Sequence, residues 1–391
     1  MRRIEKECMM RKKQAGFTLM ETMVALVVLL AVSAVVMSGM MQMMKTEGTI
    51  TNRTAMHTSV RAATELLQQE IGQAGKIVSV SGQMTTPVVG LAISPDTPIT
   101  ANVTFANMND ASGNGVLFEG AWVTVDNGLP RETVQLKCLA GIGACPIGTN
   151  DWQATFTWAH GGPGVVVPAS LQGSFSSGIV PPAVPADPGA LTNIPVGYAG
   201  YPFFPAGPPV SPYPNLSTKG SNGRVLKLFG DVNGDGNMVY AEYTCVQGTA
   251  QAPGFVYRNQ VPWTWAAPMP PLDPSKIVLA NVLANPNDAN GNPVPCFKYQ
   301  LQTAGGANAA ALDYAFVTDV AVTLTVQTQN PDPQVPLING RPNYQTETKA
   351  LLNVSPRNVY DAYLSGTFSY KNRIQPMPLN LKGVLLPTDP D

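Results

Sequence analysis

A run of carboxylate and amide side chains near the middle of the chain could bind a divalent cation. The segment DVNGDGNMVYAE, residues 231–242, fits the D-x-[DN]-x-[DN]-G-x5-E pattern of calcium loops, in which alternate positions supply oxygen ligands. The expected ligands are the side chains of Asp231, Asn233 and Asp235, the carbonyl of Asn237 and the carboxylate of Glu242. The flanks predict strands rather than the helices of an EF-hand. Because N-G and D-G pairs also favour metal-free hairpin turns, both interpretations stay open.

The five cysteines divide into one before a long apolar run, Cys8, and four after it. In an oxidising compartment Cys138 could pair with Cys145, closing the small loop CLAGIGAC, and Cys245 could pair with Cys296. This is one of three possible pairings, and four buried free thiols are the alternative. A zinc site is disfavoured because the sequence contains no C-x-x-C pair.

The segment HGGPG, which begins at His160, is similar to the oxyanion-hole segment of some hydrolases. A triad would have to use His160 itself, because the other histidine, His57, lies close to the apolar run and no G-x-S-x-G elbow is present. The segment is therefore interpreted as a Gly/Pro turn, and we predict that the protein is not an enzyme. Net charge of −1 and 13% charged residues also argue against nucleic-acid binding.

The N-terminal region has the composition of a membrane segment. Residues 1–16 are rich in Lys and Arg, which hold that end in the cytoplasm, and residues 17–44 carry a single charge, Glu21. This apolar run is long enough to cross a hydrocarbon core of about 30 Å as a helix. A signal peptide or a plain anchor would give the same pattern, but neither accounts for a costly carboxylate at Glu21.

The sequence GFTLME, from Gly16 to Glu21, resembles the recognition sequence of type IV prepilins and type II secretion pseudopilins. The resemblance implies that a prepilin peptidase cuts between Gly16 and Phe17 and that the new N-terminus at Phe17 is methylated. It also implies that Glu21 contacts the N-terminal amine of a neighbouring subunit during assembly. The segment LLQQEIGQAG, residues 66–75, is similar to the end of this helix in minor pilins and pseudopilins of the PilW/PulJ/GspJ kind.

A helix that continues beyond the membrane is predicted, because no proline occurs before Pro87 and apolar residues recur at helical spacing, at Val60, Ala63, Leu67, Ile71 and Ala74. This face should pack on a sheet, and Gly75 should end the helix. Short β-like runs follow, with 36 Gly and 36 Pro in the whole chain, and they predict strands at residues 115–125, 132–138, 152–158, 224–229, 238–245, 276–282, 297–301 and 316–327. The expected fold class is therefore α+β and type IV pilin-like, with a long N-terminal helix packed on an antiparallel β-sheet head with long loop insertions.

The predicted organisation has five parts in chain order. They are a cleaved basic leader at residues 1–16, a transmembrane and assembly helix at 17–44, its amphipathic continuation at 45–77, an extracytoplasmic β-rich head at 78–373 and an extended tail at 374–391. The head contains a Pro/Gly-rich insertion at residues 160–223. The aromatic segments VPWTW and YPFFP could be adhesive surface or could be buried under loops.

These features predict a minor pilin or pseudopilin of a type IV pilus or type II secretion pseudopilus, at the tip or in priming of assembly. An adhesin-like pilin is the alternative. The expected partners are other pilin or pseudopilin subunits, the prepilin peptidase, the inner-membrane assembly platform and the membrane itself. The expected location is the bacterial inner membrane, with the N-terminus cytoplasmic and the head periplasmic, and then the filament. Calcium is the one cofactor considered.

Overall fold

The computed structural model describes most of the chain after the first 17 residues. The described residues are 18–88, 96–126, 131–139, 145–162, 165–175, 177–181, 220–303, 315–335, 337, 340–368, 373–378 and 380–381. The predicted leader, the middle of the predicted insertion with its YPFFP segment, and the end of the predicted tail lie outside them.

One long helix, α1, spans Leu19–Gln73 and contains 55 residues, so it is about 80 Å long. Its second half buries one stripe, which confirms the predicted apolar face: Met56, Val60, Ala63, Leu67 and Ile71 are all buried. The helix ends at Gln73, and Gly75 has a φ of +78°, a left-handed conformation that glycine adopts without strain.

A seven-stranded antiparallel sheet receives this stripe. Its strands are hydrogen-bonded in the order β12-β13-β11-β10-β9-β8. Strand β14 pairs with β13 along the edge opposite β12 and β11. The strands are β8 (Val225–Gly230), β9 (Val239–Val246), β10 (Gly254–Pro262), β11 (Ile277–Leu283), β12 (Phe297–Thr303), β13 (Ala315–Gln327) and β14 (Thr346–Val354). Helix α1 packs mainly on β11, β13, β14 and a second helix, α2 (Arg357–Thr367).

A second antiparallel sheet of six strands is formed by the chain between α1 and β8. Its order is β4-β3-β6-β1-β2-β5. The strands are β1 (Val80–Met84), β2 (Ile99–Ala106), β3 (Trp122–Val125), β4 (Glu132–Gln135), β5 (Asp151–Phe156) and β6 (Val167–Leu171). A short parallel pair, β7 (Ser174–Phe175) with β15 (Ile374–Gln375), connects the start of the predicted tail to this part of the head.

The two sheets meet where α1 ends. The backbone N–H of Gly75 donates to the carbonyl of Phe229 at 3.0 Å, and the N–H of Phe229 donates to the carbonyl of Gly178 at 3.0 Å. A Cβ on Gly178 would collide with the backbone of Gly75, so only glycine permits this close approach. Three chain segments therefore join through their backbones at this point.

The structure confirms an α+β fold with a long helix and an antiparallel head, but it divides the head into two sheets. The sequence prediction missed several elements: β1, β2, β10, β14 and α2. The prediction of an irregular insertion at residues 160–223 also missed β6, which lies between β1 and β3. In the segment Gly115–Val125, strand geometry is limited to Trp122–Val125.

Candidate functional site

The N-terminus of α1 is closed by a reciprocal capping box. The backbone N–H of Thr18 donates to Glu21 Oε2 at 2.9 Å, and the Glu21 N–H donates to Thr18 Oγ1 at 3.3 Å. The Thr18 hydroxyl also donates to Glu21 Oε2 at 3.1 Å. The Glu21 carboxylate is therefore held at the N-terminal end of the helix. Gly16 and Phe17, the predicted cleavage and methylation residues, lie outside the described residues.

The first half of α1 is an unpaired apolar surface. From Leu19 to Met44 the large hydrophobic side chains are all exposed, and the 18-residue window with the most apolar composition has no buried residue. Within the described residues, α1 is the one helix long and apolar enough to cross a membrane. In water such a surface would drive association, whereas in lipid it is solvated, so this half requires a membrane or other subunits around it.

A buried ion pair fixes the other half of α1 to the seven-stranded sheet. Glu70 is only 4% exposed, and its Oε1 lies 2.7 Å from Arg258 Nη2 of β10. The Tyr243 hydroxyl of β9 donates to Glu70 Oε2 at 2.7 Å. Nη2 of Arg258 also donates to Asn233 Oδ1 at 2.8 Å. These contacts set the rotation of α1 against the sheet, and hence the direction in which the apolar half projects.

The ionisation of this cluster follows from its burial. Burial and the neighbouring negative charge of Glu70 raise the pKa of Tyr243 well above its usual value, so it stays a neutral donor. Burial opposes the charge on Arg258, but the hydrogen bond and charge of Glu70 outweigh it, and the pKa of Arg258 is raised. The cluster is therefore an arginine–carboxylate pair with a neutral tyrosine. Sequence reasoning missed it, because Glu70 and Arg258 are 188 positions apart and neither lies in a recognisable motif.

The predicted calcium loop is present as a turn between β8 and β9, but its oxygens contact protein groups. Asp231 is buried, and its Oδ2 lies 2.7 Å from Lys76 Nζ while its Oδ1 accepts the Gly236 N–H at 3.2 Å. Asn233 accepts from Arg258, as described above. Asp235 Oδ1 accepts the N–H of Asn237 at 3.0 Å.

The last predicted ligand, Glu242, lies within β9 and is directed to other partners. Its Oε1 accepts the Tyr240 hydroxyl at 2.5 Å and lies 3.7 Å from Lys227 Nζ. Among the described residues, no group of three or more His, Cys, Asp or Glu side chains is placed to hold a metal ion. Asp231, Asn233 and Glu242 thus contact protein partners in this arrangement. Binding stays a prediction, and it requires Asp231 to exchange Lys76 for the ion.

The four downstream cysteines form the two disulfides considered from the sequence. Cys138 is bonded to Cys145, and Cys245 to Cys296. The first bond lies beside the core of the six-stranded sheet, and the second is buried in the core of the seven-stranded sheet. The second bond links β9 to the residue before β12, whereas the first joins two residues that lie between β4 and β5.

His160 is part of the core of the head. Its side chain is fully buried, with Nδ1 3.7 Å from Asp126 and Nε2 3.5 Å from Glu132. Its backbone exchanges two hydrogen bonds of 2.9 Å with Val88. The residue therefore bridges two segments of the six-stranded region. Of the aromatic segment VPWTW, Trp263 is buried and Trp265 is partly exposed.

Comparison with known proteins concerns the N-terminus alone. The family model for the prokaryotic N-terminal methylation motif matches residues 11–37, which include Gly16, Phe17 and Glu21. No curated protein and no solved structure gives a significant match to the chain. The methylation motif and the long apolar N-terminal helix together fit a type IV prepilin-like protein.

Proposed function

We propose that the chain is a minor pilin or pseudopilin that is processed between Gly16 and Phe17 and enters a type IV pilus or type II secretion pseudopilus through α1. The observation that carries this proposal is the exposed apolar half of α1 with Glu21 at its N-terminus, inside the matched methylation motif. The Lys and Arg residues before Gly16 support an N-terminus in the cytoplasm and a head on the far side of the inner membrane.

Glu21 has a physical role in assembly in this proposal. A carboxylate in lipid is costly unless it is paired with an opposite charge. Removal of the leader would create an amine at Phe17 on each subunit, and a carboxylate held at the helix end can pair with the amine of a neighbour. The pair forms only when subunits meet, so it favours ordered insertion of α1 into a growing filament.

The size of the head supports a position at the tip or in priming. The head contains two sheets with separate core clusters, of which α1 packs mainly on one. The six-stranded sheet adds bulk that close packing of helices along a shaft does not need. A tip position leaves room for it.

Intact-mass analysis of the protein from native membranes tests processing. With an active prepilin peptidase we expect a chain that begins at N-methylated Phe17, and without it we expect the full precursor. Gly16→Val should block cleavage. Gly39→Ala is the matched control, because a Cβ at Gly39 meets nothing within 4 Å. A chain that begins at Met1 with active peptidase, or one cut beyond Met44, would sink the proposal.

Glu21→Gln separates processing from assembly. We expect normal cleavage but loss of the subunit from purified filaments, because the neutral amide cannot form an ion pair with the protonated amine of a neighbouring subunit. Glu47→Gln, an exposed carboxylate on the same helix, should be incorporated normally. Equal incorporation of Glu21→Gln and Glu47→Gln would contradict the role given to Glu21.

A second candidate is an adhesin-like pilin, favoured by the partly exposed indole rings of Trp158 and Trp265. Deletion of the gene distinguishes the two. Loss of filaments or of secretion supports the assembly role, whereas intact filaments with lost attachment support the adhesin.

A further inference from the structure

The connection between β13 and β14 runs along α1 towards its apolar half. Glu347 Oε2 lies 2.6 Å from His57 Nδ1, and Asn330 Nδ2 donates to Asn52 Oδ1 at 3.3 Å. The base of this connection therefore contacts the middle of α1. We call the connection, residues 328–345, the β13–β14 hairpin.

Further along the hairpin, the contacts move towards the N-terminus of α1. The Thr49 hydroxyl donates to Asp332 Oδ1 at 2.8 Å, and Gln334 Nε2 donates to Thr46 Oγ1 at 2.9 Å. From His57 to Thr46 the hairpin follows the helix for roughly 16 Å. The N–H of the next residue, Val335, donates to the carbonyl of Asp332 at 3.3 Å, so the chain turns here and Val335 lies close to the level of Thr46 and Thr49. Leu337 follows two positions later.

The hairpin is held in this position by internal bonds. Asp332 accepts from Gln345 Nε2 at 2.5 Å and from the Gln334 N–H at 2.9 Å. Its own N–H donates to the carbonyl of Asn343 at 2.8 Å. The two arms of the hairpin are thus tied together next to α1, close to the level of Thr46 and Thr49.

That place coincides with the point where α1 should leave the membrane. From Leu19 to Met44 the helix extends about 39 Å, which covers a hydrocarbon core of about 30 Å and part of one headgroup layer. Lys45 is the first charged residue after Glu21, as expected at the boundary with water. Thr46, bonded to Gln334, immediately follows it.

The side chains at the tip suit such a boundary. Leu337 is 65% exposed and Val335 is 38% exposed, so both apolar side chains are accessible for contact with lipid. We propose that Val335 and Leu337 contact the lipid headgroup and upper acyl region of the bilayer, so that the hairpin is a second membrane contact beside α1. It would set how far the head stands from the membrane before assembly. The inference rests on the proposed membrane anchoring through α1.

Fluorescence quenching in vesicles tests the contact. The full precursor, with Cys8→Ser to remove the leader thiol, carries a single new cysteine labelled with an environment-sensitive dye. The three sites are Leu337→Cys at the tip, Leu30→Cys in the apolar half of α1, and Tyr360→Cys on α2. Tyr360 is the matched control, since it is 54% exposed but α2 contacts the far end of α1, about 40 Å beyond Thr46. Vesicles of phosphatidylethanolamine and phosphatidylglycerol contain nitroxide lipids labelled either at the headgroup or deep in the acyl chain.

We expect the headgroup nitroxide to quench the Leu337 site several-fold more than the Tyr360 site, and the deep nitroxide to quench Leu30 most. Equal, weak quenching at Leu337 and Tyr360 with strong quenching at Leu30 would overturn the lipid contact, and would leave the tip for a neighbouring subunit. Absence of quenching at Leu30 would contradict membrane anchoring itself, and with it the basis of the inference.

Discussion

The seven-stranded and six-stranded sheets share one head but differ in their relation to α1. The seven-stranded sheet forms a single core with the buried stripe of the helix, from Met56 to Ile71. The six-stranded sheet builds a separate core around Phe105, Trp152 and Phe156. It reaches the other sheet through residues on that sheet's opposite side, including Phe229, Tyr240 and Trp263.

This difference indicates which part of the head supports the assembly helix. In the sequence, the strands of the six-stranded sheet lie between α1 and the seven-stranded sheet. In space, however, α1 packs on β11, β13 and β14 of the seven-stranded sheet. Helix α1 and the seven-stranded sheet therefore form one structural unit with a shared core. The six-stranded sheet packs on the opposite face of the seven-stranded sheet, and among the described residues the core that holds α1 contains none of its strand residues.

The largest difference between the two sheets is expected when each disulfide is removed in turn. Cys245 and Cys296 are 51 positions apart, whereas Cys138 and Cys145 are 7 apart. Since a cross-link restricts the unfolded chain more when its loop is longer, Cys245→Ser/Cys296→Ser should lower the free energy of unfolding by about 4 kcal/mol. Cys138→Ser/Cys145→Ser should lower it by about 2 kcal/mol.

Urea denaturation of the full chain in detergent, followed by circular dichroism, measures both losses. Hydrogen exchange then locates them, and the C-terminal half of α1 should lose protection only in the Cys245→Ser/Cys296→Ser variant. A larger loss for the short loop, or loss of protection on α1 in both variants, would mean that the two sheets do not differ in the way described.

Glu70→Gln breaks the unit of helix and seven-stranded sheet at a single site. The change leaves Arg258 without its carboxylate partner in a mostly buried position, which costs about 3 kcal/mol, the lower end for a broken buried pair because Arg258 is partly exposed. Glu65→Gln is the control, since it removes an ion pair of the same 2.7 Å length with Arg61 on the exposed face of α1.

Thermal denaturation and hydrogen exchange compare the two variants. We expect a clear drop in melting temperature and faster exchange in α1, β9 and β10 for Glu70→Gln, little change for Glu65→Gln, and unchanged protection in β1 to β6. Similar behaviour of the two variants would show that the buried cluster does not hold α1 on its sheet.

These long-range contacts mark the limit of what the sequence could predict. Local patterns were sufficient for the stripe Val60–Ile71, for the end of α1 near Gly75 and for strands such as β9 and β12, because periodicity and turn residues act over short distances. Strand β6 was missed because it lies in a Pro-rich stretch and is specified by pairing with β1, far earlier in the chain. The Glu70–Arg258 pair depends on the packing of α1 against β10, which no local pattern encodes.

Lys76 and Asp231 connect the two regions, and the calcium-dependent shift expected at this pair is the smallest of the effects described. Lys76 follows the end of α1 and Asp231 follows β8, so their ion pair joins these two segments where the sheets meet. Lys76→Met leaves the buried Asp231 carboxylate without its cationic partner, and the variant should be less stable in chelator than the unchanged chain. If the DVNGDGN turn binds calcium, the ion can replace the lost ammonium, and millimolar calcium should restore part of the melting temperature of Lys76→Met. The unchanged chain should respond less, because Lys76 competes with the ion for Asp231. Differential scanning fluorimetry with calcium, magnesium and chelator measures this, with Lys76→Met/Asp235→Ala as the control that removes one predicted ligand. A Lys76→Met chain with the same melting temperature in calcium and in chelator would show that this turn is a metal-free hairpin, held by its own hydrogen bonds.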